Sequence, residues 1–161
     1  MTQKAKLGSR SLQRLGTCHP DWIRIIRRVE QISPIDFAVI EGKRSTPRQQ
    51  ELYAQGRSGP GRIVTHRDGV ERRSKHQAVH IHTGEPVSDD HDDGVSDAID
   101  VAPYEGKINW DDEFGFGVLY ALILRIAKEL GIEVRPGADW DSDGDRADQR
   151  FDDLPHFELV R

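Results

Sequence analysis

Apolar residues recur at helical spacing in HPDWIRIIRRVEQI, residues 19–32, where Trp22, Ile23, Ile25, Ile26 and Val29 are set to share one side of a helix. Asp21 near the start of that segment favours the positive end of the helix dipole. DFAVIEG (36–42) is a short apolar run stopped by Gly42 and predicts a buried strand. TPRQQELYAQG (46–56) predicts a second helix, with Thr46 as N-cap, Pro47 in the first turn and Gly56 as the stop. AIDVAPY (98–104) and HFELV (156–160) read as strands. EFGFGVLYALILRIAKELG (113–131) places Leu119, Leu122, Ile123, Ile126 and Leu130 on one face and ends at Gly131, the clearest helix of the chain. The order helix, strand, helix, loop, strand, helix, loop, strand predicts an α+β fold, a small, mostly antiparallel sheet packed with helices in one domain spanning 1–161.

Residues 57–97 break this pattern. They sustain no period, and they hold five of the seven histidines: His66, His76, His80, His82 and His91. The chain has 161 residues, enough for one core that buries roughly two-thirds of the unfolded surface without disulfides. Its net charge of −5 conceals an asymmetry, with 15 Lys/Arg against 7 Asp/Glu in residues 1–73 and 8 against 21 in residues 74–161. A dense acidic half concentrates cations, and a basic half can graze an anionic polymer. No base-reading motif accompanies the basic half, so no nucleic-acid partner is expected. Cys18 is the single cysteine, which excludes an internal disulfide and a cysteine-built zinc site. No run approaches the roughly 18 apolar residues of a membrane span, and no signal-type segment opens the sequence, so synthesis in the cytoplasm without stable membrane insertion is the expectation, and a monomer is expected in the absence of a long apolar surface pattern.

Three segments each offer a metal ligand on or beside a strand: SKHQ with His76, AIDVAP with Asp100 and LPHFEL with His156. Two histidines and one carboxylate suit a hydrolytic zinc, which leaves a fourth position open for water. Taken singly, each also reads as a structural residue. Asp153, three residues before His156, is placed to exchange protons with a reacting water, or to cap the turn before the last strand. Arg44 follows the first strand, where its guanidinium either faces a cleft or makes a surface ion pair.

In this order, VIEGKRSTPRQQELYAQGRS, SKHQ, AIDVAPY and FDDLPHFEL resemble the M15 family of zinc peptidases, in particular phage endolysins of the L-alanyl-D-glutamate peptidase type. The resemblance runs from about Leu7 to the end of the chain. It implies a hedgehog/D-Ala-D-Ala-peptidase-like fold, zinc held by His76, Asp100 and His156, Asp153 as catalytic acid and base, and Arg44 as transition-state stabiliser. The implied substrate is the stem peptide of bacterial peptidoglycan, cut between L-alanine and D-glutamate, with a holin-type partner releasing the enzyme to the cell wall. A D-alanyl-D-alanine carboxypeptidase or dipeptidase would use the same centre. A calcium-binding wall module without catalysis is the reading from another class.

The family pattern Ser-x-His-x-x-Gly-x-Ala-x-Asp holds its histidine and aspartate seven residues apart, whereas His76 and Asp100 are 24 apart. Residues 78–97 are the apparent insertion, and its His91 is an alternative ligand. Closing the longer loop costs about 1 kcal/mol, so the site can survive it. A second cation site is suggested by DWDSDGDRADQ, where Asp139, Asp141, Asp143 and Asp145 alternate around Gly144 as in the first half of an EF-hand loop, with Asp148 close by. The closing glutamate of such a loop is replaced by Arg150. Calcium is the expected ion there.

Overall fold

Strand alternation and two amphipathic helices organise the molecule, and the computed structural model describes residues 5–138 and 153–161. The helices are α1 (Ser9–Leu15), α2 (Pro20–Ile32), α3 (Thr46–Ala54) and α4 (Glu113–Glu129). The strands are β1 (Phe37–Glu41), β2 (Val79–His80), β3 (Gly94–Val95), β4 (Ala98–Pro103), β5 (Val134–Pro136) and β6 (His156–Leu159). Four of them form one antiparallel sheet in the order β1-β4-β6-β5, and β2 pairs with β3 in a separate ribbon. The α+β expectation holds.

Trp22, Ile25, Ile26 and Val29 of α2 are fully buried with Leu119, Ile123 and Ile126 of α4. Ile23 departs from the expectation. It lies one residue, about 100° of helix, past Trp22, which turns it off the buried face to 37% exposure. Beneath these helices the sheet contributes Phe37 and Val39, Ile99 and Val101, and Phe157 and Leu159 to the same core. The period of two therefore sends Asp100, His156 and Glu158 to the opposite face. That open face carries the chemistry.

Helix α3 is capped by Ser45, whose hydroxyl accepts from Arg48 N–H at 3.3 Å, and not by Thr46 as expected. Thr46 has another partner: its N–H and hydroxyl both donate to the Asp89 carboxylate, at 2.9 and 3.1 Å. Helix α1, not anticipated from its mostly polar sequence, covers the outer edge of β1. The Ser11 hydroxyl accepts from Val39 N–H at 3.1 Å and Arg14 donates to the Val39 carbonyl at 3.1 Å, satisfying backbone groups an edge strand would leave open.

Residues 78–97 leave and return at one place. Lys75 O accepts from both Asp97 N and Ala98 N, and β2 and β3 pair at the base of the excursion. It is fastened to the core at several points: Asp89 on Thr46, Arg73 on the carbonyl of Ala78, His19 against the carbonyl of Ile81 and Arg161 on that same carbonyl.

Candidate metal centre

Direct cross-strand partners point to the same side of a sheet. Asp100 of β4 lies opposite His156 of β6, and a bulge in β1 between Val39 and Glu41 places Glu41, rather than Ile40, opposite Asp100 on its other side. Bulges recur where a strand must re-aim a side chain. His76 arrives from the loop that precedes β2, anchored by Arg44 N–H donating to its carbonyl at 2.8 Å.

His76, Asp100 and His156 form a group that could hold a metal ion. The Asp100 Oδ1 is 3.1 Å from His76 Nε2 and 3.1 Å from His156 Nδ1, and those two nitrogens are 3.2 Å apart. Their outer nitrogens fix the protons. His76 Nδ1 is 2.8 Å from the Gly42 carbonyl and His156 Nε2 is 3.0 Å from a Glu158 carboxylate oxygen, both of which only accept. Each ring therefore keeps an N–H outward and turns its second nitrogen inward, beside a carboxylate oxygen, where that nitrogen can hold either a proton or a metal ion. Three such atoms gathered this closely are satisfied by a shared cation, whether a proton or a metal ion. Their spacing is close to the edge of about 3.3 Å expected of a tetrahedron with zinc–ligand bonds of about 2 Å, so the donor set fits zinc in size and type.

The electrostatics show a strong competition between proton and metal ion for the inward nitrogen of His156, so binding a metal there would release a proton. Burial opposes ionisation of Asp100, but the His76 and His156 rings outweigh it and hold the carboxyl far below the usual range. Burial would lower His156, yet hydrogen bonds to Asp100 and Glu158 reverse this and push it up to about 10. Glu158, despite burial, is pulled down to about 2 by His156 and by Arg135, which forms an ion pair with it.

Arg44 is buried and does not make a surface pair. It donates to Glu41 at 2.9 Å and to the Gln49 side-chain oxygen at 2.7 Å, and its Nη2 stands 3.9 Å from Asp100. Asp153 lines the same cleft, of about 1020 Å³, as these groups. Its N–H donates to Gly137 O at 2.9 Å and its carbonyl accepts from His156 N–H, which fixes it next to the ligand strand. Burial, with help from Asp100, raises the Asp153 carboxyl to about 6 against the pull of His156, His76 and Arg44.

The alternative ligand His91 is placed elsewhere. Its Nδ1 is 2.7 Å from Asp93 in the excursion, and His91 is not part of the converging group. The aspartates of the proposed calcium loop, Asp139, Asp141, Asp143, Asp145 and Asp148, lie outside the described residues. Three contributors went unread in the sequence: Glu158, Glu41 and Gly137. Glu158 was within reach, since in HFEL it shares the face of His156 by alternation. Glu41 depends on a bulge, and Gly137 on a contact across sixteen residues to Asp153, neither of which leaves a local signal.

A family model for phage L-alanyl-D-glutamate peptidases matches residues 3–160. Over 159 residues, 96% of this chain and 98% of the relative, the sequence is 32% identical to an L-alanyl-D-glutamate peptidase of Escherichia phage T5. It is also 32% identical over 130 residues to the peptidoglycan L-alanyl-D-glutamate endopeptidase CwlK of Bacillus subtilis (strain 168), covering 78% of this chain and 62% of that protein. The crystal structure of the Serratia marcescens L-Ala D-Glu endopeptidase ChiX superposes with a TM-score of 0.64 at 26% identity, covering 98% of this chain and 92% of that one. With a family match over nearly its whole length, the chain belongs to the phage L-alanyl-D-glutamate peptidases.

Proposed function

We propose that this protein is a zinc-dependent peptidoglycan endopeptidase that hydrolyses the L-alanyl-D-glutamate bond of the stem peptide, acting on the cell wall after release by a holin-type partner. The observation that carries the reading is the convergence of three potential ligand atoms, from His76, Asp100 and His156, in the cleft that Asp153 lines. When bound there, zinc supplies Lewis-acid polarisation of the scissile carbonyl and of the attacking water. The chain's own groups do the rest.

Asp153, with a pKa of about 6, is ionised at neutral pH and accepts a proton from water as it attacks. The same carboxyl then delivers that proton to the amide nitrogen as the C–N bond breaks. Arg44 is held rigid by Glu41 and Gln49, so its charge is already aimed where negative charge develops on the carbonyl oxygen. The products are a peptide ending in L-alanine and a fragment with a new amino group on D-glutamate.

The test is mass spectrometry of purified muropeptides after incubation with zinc-loaded protein and with Asp153→Asn. New fragments beginning at D-glutamate are expected, with kcat/KM down about 100- to 10,000-fold in the variant while it still binds one zinc per chain. Released D-alanine, or undiminished cleavage by Asp153→Asn, would overturn the assignment.

A further inference from the structure

The cleft carries more positive charge than the proposed reaction uses. Arg44 is committed to Glu41 and Gln49, Arg135 to Glu158, and Arg73 to the carbonyls of Ala78 and Val87. Arg62, Arg67 and Lys75 also line the cleft, and among the described residues their side chains have no ion pair or hydrogen bond. They are not placed at random. Gln49, which accepts from Arg44, donates through its amide nitrogen to Arg67 O at 2.7 Å, so one buried side chain sets both the loop bearing Arg67 and the guanidinium beside Asp100. Lys75 immediately precedes His76, and its carbonyl is bound by the N–H groups of Asp97 and Ala98 at 3.0 and 3.1 Å.

Like charges lining one cleft repel one another, and an anion arriving there relieves that repulsion. The substrate class carries anions next to the scissile bond. The scissile nitrogen belongs to a D-glutamate that continues the peptide through its side-chain carboxyl, so its α-carboxylate stands free on the carbon bearing that nitrogen. Further free carboxylates follow along the stem.

Resting on the endopeptidase reading above, we infer that Arg62, Arg67 and Lys75 form a carboxylate-binding wall for the amine side of the scissile bond. The enzyme thereby selects stem peptides whose glutamate α-carboxylate is free over those in which it is a carboxamide. A charge-assisted contact discriminates against the neutral isostere, by a modest and salt-sensitive margin because Arg62 and Arg67 are exposed and only Lys75 is half-buried.

The experiment compares two synthetic muramoyl peptides that differ only in that group, D-glutamate against D-isoglutamine. The expected result is a kcat/KM at least tenfold higher for the acid, expressed mainly in KM and shrinking as salt is raised. In the combined Arg62→Gln, Arg67→Gln, Lys75→Gln variant the ratio should fall towards one, Arg67→Lys should retain most of it, and Arg48→Gln, outside the cleft, should leave it alone. Equal cleavage of the two peptides by the unmodified enzyme, or a ratio that survives the triple variant, overturns the wall while leaving the endopeptidase reading intact. Cleavage of neither peptide overturns both.

Discussion

Glu158 shows how one side chain can do two kinds of work. One oxygen faces His156 Nε2 at 3.0 Å, and the other is paired with Arg135, so the carboxylate fixes the ring's tautomer and rotation and raises the basicity of the nitrogen aimed at the metal position. Glu158→Gln keeps the shape and removes the charge. Its zinc affinity, measured by competition with a chromophoric chelator, should drop about 10- to 100-fold with folding retained; an unchanged affinity would reduce Glu158 to a packing residue. Cys18 supplies a prediction about stability. Burial raises its thiol from 9.0 to about 12. The folded state thus holds this proton more tightly than the unfolded one, and the associated stability is complete below pH 9 and is lost as pH rises from there through about 12. At pH 10 the loss attributable to this group is about 1 kcal/mol. Chemical denaturation at pH 8 and pH 10 should show a smaller alkaline loss for Cys18→Ala than for the unmodified protein, and equal losses would refute the assignment. At this scale the sequence was informative wherever chemistry and strand position coincide, as for His156 and Asp100. It was silent on Glu41, because the bulge that sets Glu41 against Asp100 has no signature in FAVIEG.

At the scale of elements, legibility followed the length of the repeating pattern. Helices α2 and α4 bury enough residues at regular spacing to declare themselves. Helix α1 buries only Ser11 and Leu15, and β2, β3 and β5 have two or three residues each, too few to establish any period. Strand β5 matters out of proportion to its length, because Gly137 directly after it holds Asp153. A Cβ at Gly137 would stand 2.4 Å from Asp153 O and 3.0 Å from the Cβ atoms of Asp153 and His156. Those are backbone and near-backbone atoms, which cannot swing away as the end of a side chain can. Gly137→Ala should therefore push the Asp153 segment outward, costing about 1–3 kcal/mol in stability. A displacement near 1 Å at a reacting group lowers turnover on the order of 100-fold. The distinguishing readout is that kcat falls far more than zinc affinity, because His76 and Asp100 are set by other elements; parallel loss of both would mean that the whole β6 strand had shifted.

For the whole molecule, the excursion at 79–95 poses the question of what the site requires. None of these residues lines the cleft among the described residues, and its histidines pair locally, His80 and His91 both facing Asp93. Val79 and Val95 are cross-strand partners, so Ala78 and Ser96 flank the mouth of the ribbon, where paired strands bring Cα atoms to about 5 Å, little more than the 3.8 Å of one peptide link. Removing 79–95 would shorten the His76–Asp100 separation from 24 residues to seven. The cut discards the Asp89 carboxylate at the start of α3 and the carbonyls that hold His19 and Arg161. Loss of an interaction of the Asp89 kind costs about 1 kcal/mol, and each such loss lowers the melting temperature of a chain this size by about 2–4 °C. The excised protein should consequently melt several degrees lower, yet bind zinc within about threefold of the original affinity and cleave muropeptides at a comparable rate per folded molecule. Calorimetry with zinc titration separates the two effects. A shortened chain that folds but no longer binds zinc would show that the excursion sets the ligand geometry through the Lys75–Ala98 anchor, and that the centre is not carried by β4, β6 and the His76 loop alone.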